Sequence, residues 1–223
     1  MKRIKENLIP LCLLITLPLL NSLYEVFNNA NNGVYNLVTS VDNMIPFWPG
    51  FMVPYMCWYP FMLGTMIYFC FKDRRMFYRL LATIDIGLIV CYVFYFFFQT
   101  TVPRPTVLGD DFASKFTMFI YKMDNPYNCF PSIHIMTCYL LMKGIWRSKM
   151  KNPLNTFIIS FMSCLIIFAT LVTKQHIIAD LVSAVVLGEM IFIFMGRVNE
   201  EKIIARCNNI KARRCKEQEK SQD

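Results

Sequence analysis

The sequence predicts an all-α membrane protein, a bundle of about six transmembrane helices with both termini in the cytoplasm. The composition is the first reason, because 56% of the 223 residues are hydrophobic and only 17% are charged, whereas soluble proteins carry roughly 25% charged residues. The second reason is a series of apolar runs close to the ~20 residues that a helix needs to cross a bilayer. The third is that basic residues cluster between alternate runs.

Six apolar runs follow one another along most of the chain, and each is a candidate span. They cover residues 8–24, 51–71, 80–98, 132–146, 153–173 and 177–195. The first run contains Pro10 and Pro18 and follows three basic residues, so a signal peptide is an alternative for it. We expect a retained helix, because no clear small-residue cleavage site follows.

The basic residues predict the orientation, since short cytoplasmic loops carry an excess of Lys and Arg. With the N-terminus inside, most of the 23 Lys and Arg fall in inner segments, and Arg104, Lys115, Lys122 and Lys174 are left outside. Residues 1–197 then form one membrane domain, and residues 198–223 form a basic cytoplasmic tail. The net charge of +8 is accounted for by segments beside the membrane, so no nucleic-acid partner is predicted.

Two long segments, 25–50 and 100–131, lie between spans on the outer side in this topology. Long ordered loops are disproportionately functional, so we expect the chemistry on the outer face. Asp110, Asp111 and Asp124 of the second segment could bind a cation or a headgroup. Solvated loop positions are the simpler interpretation for these three acids.

The only two histidines of the chain, His134 and His176, both fall at outer ends of predicted spans. Asp180 follows His176 by four residues, which places the two side chains on one helix face with Cβ atoms about 5–6 Å apart. The carboxylate can accept the imidazole Nδ1–H and leave Nε2 free as a nucleophile. Either histidine alone would be read as an interfacial polar residue, but the pair favours a catalytic site.

Polar neighbours of the histidines predict an anion-binding pocket. Spans four and six both begin outside, and helix N-termini favour anions such as phosphate. Pro131 suits the first turn of the fourth helix, and Ser132 adds a hydroxyl. Arg104 and Lys174 add positive charge at the depth of lipid headgroups.

These residues resemble the type 2 phosphatidic acid phosphatase superfamily of integral membrane enzymes, whose three motifs read K-x6-R-P, P-S-x-H and S-R-x5-H-x3-D. Arg104-Pro105 matches the end of the first motif, residues 131–134 match the second, and His176 with Asp180 matches the end of the third. The likeness covers about residues 100–188. Residues 1–197 thus resemble a six-span phosphatase-like domain.

Three positions depart from the motifs. The lysine of the first motif would fall at Phe97, and the Ser-Arg pair of the third at Ala169 and Thr170. Lys174 could supply one of the missing charges. The sequences "KQH", "YNCFPSIH" and "DNMIPF" are similar to the branch that contains inositol phosphorylceramide synthases and their bacterial relatives.

The resemblance implies phosphoryl transfer without a metal or other cofactor. His176 would attack phosphorus, and His134 would protonate the leaving oxygen. Arg104, Ser132 and Lys174 would bind the phosphate. The leading hypothesis is a phosphatase that hydrolyses a membrane lipid phosphate, phosphatidate-like or a polyprenyl diphosphate, through a phosphohistidine.

Two other functions stay open at this point. One is a phosphotransferase that moves a phospho-headgroup to a lipid hydroxyl, and the other is a non-enzymatic lipid-binding membrane protein. The expected partners are the lipid phosphate substrate and the bilayer, and the expected location is a bacterial plasma membrane with the active site facing outside. The oligomeric state is left open.

Overall fold

The computed structural model describes residues 2–30 and 33–197, and the described chain is mostly helical. The predicted basic tail, 198–223, lies outside the described residues. In chain order the helices are α1 (Lys2–Leu13), α2 (Thr16–Phe27), α3 (Ser40–Met44), α4 (Met52–Met56), α5 (Trp58–Lys72), α6 (Arg74–Phe97), α7 (Phe112–Met123), α8 (Ile133–Arg147), α9 (Pro153–Val172) and α10 (Ile178–Arg197). The all-α prediction is confirmed.

Four stretches in the described part of the chain are long and apolar enough to cross a membrane. They are Asn7–Phe27, Arg74–Phe97, Pro153–Val172 and Ile178–Arg197. Helices α5 and α8, which correspond to the predicted second and fourth spans, have 15 residues each, fewer than the ~20 that a straight crossing needs. A span count of six and the orientation of the termini therefore stay predictions.

Helix α8 lies at the centre of the bundle, where it packs against α5, α6, α9 and α10. Its Leu140, Leu141 and Ile145 are fully buried. Glycine allows a close approach to α6, because a Cβ on Gly144 would lie 2.6 Å from Leu80 Cδ1. Since α8 is held on several sides, the position of its first turn is fixed by the core.

The first turn of α8 differs from the prediction. Ser132 is the N-cap, and its hydroxyl accepts a hydrogen bond from Ile135 N at 3.2 Å, as Ser commonly does at this position. Pro131 therefore precedes the helix instead of lying in its first turn. Its carbonyl accepts a hydrogen bond of 2.6 Å from the Tyr95 hydroxyl, which ties the start of α8 to α6.

The described residues of segments 25–50 and 100–131 contact each other. Strand β1 (Tyr35–Asn36) pairs in parallel with strand β2 (Thr100–Thr101). The second segment also contains helix α7, which the sequence analysis treats as loop. The Asp111 carboxylate caps α7 by accepting from Ser114 N at 3.1 Å. These short elements cover the end of the bundle at which both histidines lie.

Candidate active site

The two histidines meet at this end of the bundle. His134 lies in the first turn of α8, His176 lies just before α10, and their ring centroids are 5.6 Å apart. His176 Nδ1 is 3.2 Å from Asp180 Oδ2, the contact that their spacing predicts. Asp180 is fully buried, and the same oxygen accepts from Ile177 N at 3.1 Å. With Nδ1 directed at the carboxylate, His176 Nε2 is left for other chemistry.

A tight turn between α9 and α10 sets the position of His176. The Thr170 carbonyl accepts from the backbone N–H groups of Gln175 and His176 at 3.0 and 3.1 Å. Lys174 adopts the left-handed backbone region with φ 52°. The Tyr121 hydroxyl donates to the Thr173 carbonyl at 2.5 Å. His176 is therefore held on a braced turn.

Aromatic rings enclose His134. The ring centroids of Tyr55 and Trp58 lie 4.8 and 4.3 Å from that of His134. Trp58 is fixed in turn, because its Nε1–H donates to Thr137 Oγ1 at 2.7 Å. Within residues 2–30 and 33–197, no hydrogen bond reaches the His134 imidazole, so van der Waals packing alone orients it.

Arg104 lies beside the histidines with most of its donors already used. Nη1 donates to the carbonyls of Tyr121 and Asp124 at 3.0 and 2.5 Å, and Nη2 donates to Gln175 Oε1 at 2.7 Å. The guanidinium carbon also lies 4.5 Å from the centre of the Tyr121 ring. The buried Nε has no partner among the described residues. Three hydrogen bonds thus hold Arg104 in place and leave its Nε–H unused.

Gln175 is a site residue that the sequence analysis missed. Its side chain is 5% exposed, and its Oε1 is taken by Arg104. Its buried Nε2 has no hydrogen-bond partner in the described structure. Buried donors are rarely left unsatisfied, because each costs about 1–3 kcal/mol. Its only sequence signal is its place directly before His176.

A narrow polar pocket joins these groups. It is lined by both histidines, Arg104 and Gln175, and it encloses about 10 Å³, room for about one water molecule. A second cavity, of about 320 Å³, adjoins it at His134. A phosphoryl group between the histidines would therefore require the lining side chains to separate.

Two predicted phosphate ligands have other partners. Ser132 is fully buried at the N-cap of α8. Lys174 Nζ donates to the carbonyls of Asp42 and Ile45 at 2.8 and 2.6 Å, and burial lowers its pKa while Asp42 opposes the shift. Lys174 lines a separate cavity of about 480 Å³ on the other side of His176, together with Arg104. Contacts of Ser132 and Lys174 with phosphate stay predictions.

Asp124 belongs to the site, so its simpler interpretation as a solvated loop residue is wrong. Its side chain is 27% exposed, and Oδ2 lies 3.7 Å from Arg104 Nη2. Oδ1 accepts from the Tyr24 hydroxyl at 3.2 Å and from Asn28 Nδ2 at 2.8 Å. Burial raises the pKa of this carboxyl, although Arg104 opposes the shift. The fold places Asp124 here because α7 ends directly before it.

The three positions that depart from the family motifs add no charge to the site. Phe97 is 77% exposed on the outside of α6. Ala169 and Thr170 are fully buried, and Thr170 Oγ1 donates to the Ile167 carbonyl at 2.7 Å. In the stretches 2–30 and 33–197, no group of three or more His, Cys, Asp or Glu side chains is placed to hold a metal ion.

Comparison with protein families agrees with this geometry. Residues 51–194 match the PAP2 superfamily, a match that includes α8, α9, nearly all of α10 and all six predicted site residues. The chain belongs to the PAP2 superfamily, and with its apolar helices it is an integral membrane protein. Membership fits a lipid phosphatase or phosphotransferase type of function. No curated protein and no solved structure matches the chain.

Proposed function

We propose that the protein hydrolyses phosphate from a membrane lipid, phosphatidate-like or a polyprenyl diphosphate, through a phosphohistidine and without a metal ion. The observation that carries the proposal is the pair of histidines 5.6 Å apart, one of them bonded to a buried carboxylate. One imidazole can act as nucleophile and the other as acid and base. Family membership supports the lipid substrate.

In the first step, His176 Nε2 forms a bond to phosphorus and the bond between phosphorus and the lipid oxygen breaks. Asp180 stabilises the imidazolium that develops, because its Oδ2 accepts the Nδ1–H. The departing oxygen takes a proton from protonated His134 and leaves as the lipid alcohol, or as the polyprenyl monophosphate when the substrate is the diphosphate. A positioned acid of this kind typically contributes about 10²–10⁴-fold in rate.

In the second step, neutral His134 takes a proton from water while the water oxygen bonds to phosphorus. The N–P bond breaks, phosphate leaves, and His176 is restored. The unused donors Arg104 Nε and Gln175 Nε2 are available to the non-bridging oxygens in both steps. Donors aimed at developing charge are commonly the largest catalytic contribution.

The proposed site lies on the outer face of the membrane, which we suggest is a bacterial plasma membrane. The support is that Arg104, His134 and His176 gather at one end of α6, α8 and α10, the end that the charge pattern places outside. Reactivity of a thiol probe with a cysteine introduced at exposed Leu108, in intact cells, tests this orientation. Labelling only after cell lysis would contradict it.

A second candidate is the phosphotransferase, in which a lipid hydroxyl replaces water. The observation that favours it is the cavity of about 480 Å³ on the His176 side, in addition to the one beside His134. Two cavities could hold a donor and an acceptor. Membership of the inositol phosphorylceramide synthase branch is part of this candidate.

The test is phosphate release by the purified protein from phosphatidate and from a polyprenyl diphosphate, in buffer with a chelator. We expect release by the wild type, none by His176→Ala, and a labelled phosphohistidine that accumulates in His134→Ala. Mass analysis with and without an added alcohol separates hydrolysis from transfer.

Thr156→Val is the matched control, because Thr156 lies in α9 at the end opposite the histidines. It should keep wild-type release. Undiminished release by His176→Ala would overturn the assignment. Full biological activity without either histidine would favour the non-enzymatic lipid-binding function.

A further inference from the structure

The cavity of about 320 Å³ beside His134 has a wall chemistry that differs from that of the narrow pocket. We call it the aromatic cavity, because four aromatic side chains line it: Tyr24, Tyr55, Trp58 and Tyr59. It shares His134, Tyr55 and Asp124 with the narrow pocket, so the two spaces are adjacent. Its volume is at the lower end of the range for small-molecule sites, which suits a headgroup.

The aromatic walls are held in place. Trp58 Nε1 donates to Thr137, and the Trp58 and Tyr59 ring centroids are 4.6 Å apart. Tyr24 donates its hydroxyl to Asp124 at 3.2 Å. Aromatic faces attract cations, with Trp the strongest, and cages of such rings recognise quaternary ammonium groups.

The charged residues of the aromatic cavity also favour a cation. Glu25 and Asp124 line it, and no Lys or Arg is among the described residues that do so. Arg104 faces Asp124 from the narrow pocket. An anion in the aromatic cavity would meet two carboxylates, whereas a cation would be attracted by both. A neutral sugar alcohol carries no charge for the two carboxylates to attract.

Groups that suit a phosphoryl group and groups that suit a cation therefore lie next to each other. Arg104 and Gln175 offer donors to a phosphoryl group at the histidines, and the aromatic cavity begins at the next rings, 4.3 and 4.8 Å from His134. A phosphate ester of a short amino alcohol has this charge order.

We infer that the aromatic cavity binds the ammonium group of an amino alcohol, either esterified to the phosphorus under attack or free as the acceptor. The inference rests on the proposed function for the phosphoryl end. It specifies a headgroup that carries a positive charge, in place of inositol or an unsubstituted phosphate.

The test measures binding of choline and of its neutral isostere 3,3-dimethyl-1-butanol to the full chain in a choline-free detergent, by calorimetry. We expect choline to bind about tenfold more tightly than the isostere. Tyr59→Leu and Glu25→Gln, both at exposed positions, should each weaken choline binding. Tyr35→Leu is the matched control, because Tyr35 is 54% exposed and lies outside the cavity, against 49% for Tyr59.

Equal affinity for choline and its isostere would overturn the inference, and so would choline binding unchanged in both cavity variants. Binding is measured in His176→Ala as well, where it should persist, so failure of the two proposals is distinguishable. Phosphate release that depends on His176, with no preference for choline, would support the proposed function and contradict the headgroup site. A preference for choline without turnover of any lipid phosphate would support the headgroup site and contradict the proposed function.

Incubation of the active protein with phosphatidylcholine, or with phosphatidate plus free choline, separates the two sources of the ammonium group. Cleavage of phosphatidylcholine at phosphorus indicates the esterified form. Phosphocholine and diacylglycerol formed from phosphatidate and choline indicate the free acceptor. Cleavage of phosphatidylglycerol in preference to phosphatidylcholine would overturn the esterified form.

Discussion

Replacement of Gln175 by Glu is the sharpest perturbation of the narrow pocket. The two side chains have the same shape, and Glu keeps an oxygen to accept from Arg104 Nη2, now 2.7 Å from Gln175 Oε1. The change converts the unpartnered Nε2 donor into a second oxygen without a proton. It therefore removes a donor to the phosphoryl group and leaves the contact with Arg104.

The expected loss follows from this single donor. Removal of one donor to a developing oxyanion costs about 10²–10³-fold in kcat, or about 2.7–4 kcal/mol. The carboxylate also repels the phosphoryl oxygens, so the loss should reach the upper part of that range. The free energy of unfolding should change little, since the new ion pair with Arg104 compensates for the cost of burying the charge.

The assay is steady-state kinetics on the best lipid phosphate, together with thermal unfolding in detergent. Tyr121→Phe is the control for a loosened turn, because it removes the hydrogen bond to the Thr173 carbonyl and leaves the donors of the pocket. It should lower stability by about 0.5–1.5 kcal/mol and keep most activity. If Gln175→Glu retains kcat/KM within about threefold of wild type while His176→Ala is inactive, Nε2 does not serve the reaction.

Two further predictions concern carboxylates. Asp180→Asn should lower kcat by about 10²–10⁴-fold with KM little changed, because it removes the charge that orients His176; an unchanged kcat would contradict this role. The Asp42 carboxylate accepts hydrogen bonds from Ile178 N at 2.8 Å and from Thr39. Burial alone would raise the pKa of Asp42, but these hydrogen bonds outweigh burial and hold the pKa below the ordinary value of 3.8. Its stabilisation is therefore complete above that ordinary value and is lost as pH falls through the lowered pKa. Asp42→Asn should be less stable than wild type at pH 7 and equally stable in strong acid, as measured by thermal unfolding, and a gap that persists in acid would refute the linkage.

The apolar runs predicted the long helices well, since hydrophobic length is a local property of the chain. The contact between His176 and Asp180 is also local, because it depends only on a spacing of four residues within a helical turn. Helix α8 was predicted from its short apolar run alone, and its N-cap Ser132 was interpreted as a phosphate ligand. These features could be read from neighbouring residues alone.

The rest of the site depends on contacts between distant segments. Gln175 acquires its role only because Arg104, 71 residues earlier, occupies its carbonyl oxygen. Asp124 looked like a solvated acid because nothing in its neighbours shows that Tyr24 and Asn28 approach it from α2 and the segment that follows. Lys174 is predicted to contact phosphate, and nothing in its neighbours shows that its ammonium also donates to the carbonyls of Asp42 and Ile45. These contacts cannot be predicted from the neighbouring residues in the sequence.

The partners of Arg104 come from segments that lie outside the long apolar helices. Its guanidinium is held by the carbonyl groups of Tyr121 and Asp124, which lie 17 and 20 residues away, and by Gln175. The candidate site therefore needs the end of α7 and the turn before α10 in addition to the long apolar helices. A substitution in segment 100–131 can disturb the site while every apolar helix stays intact.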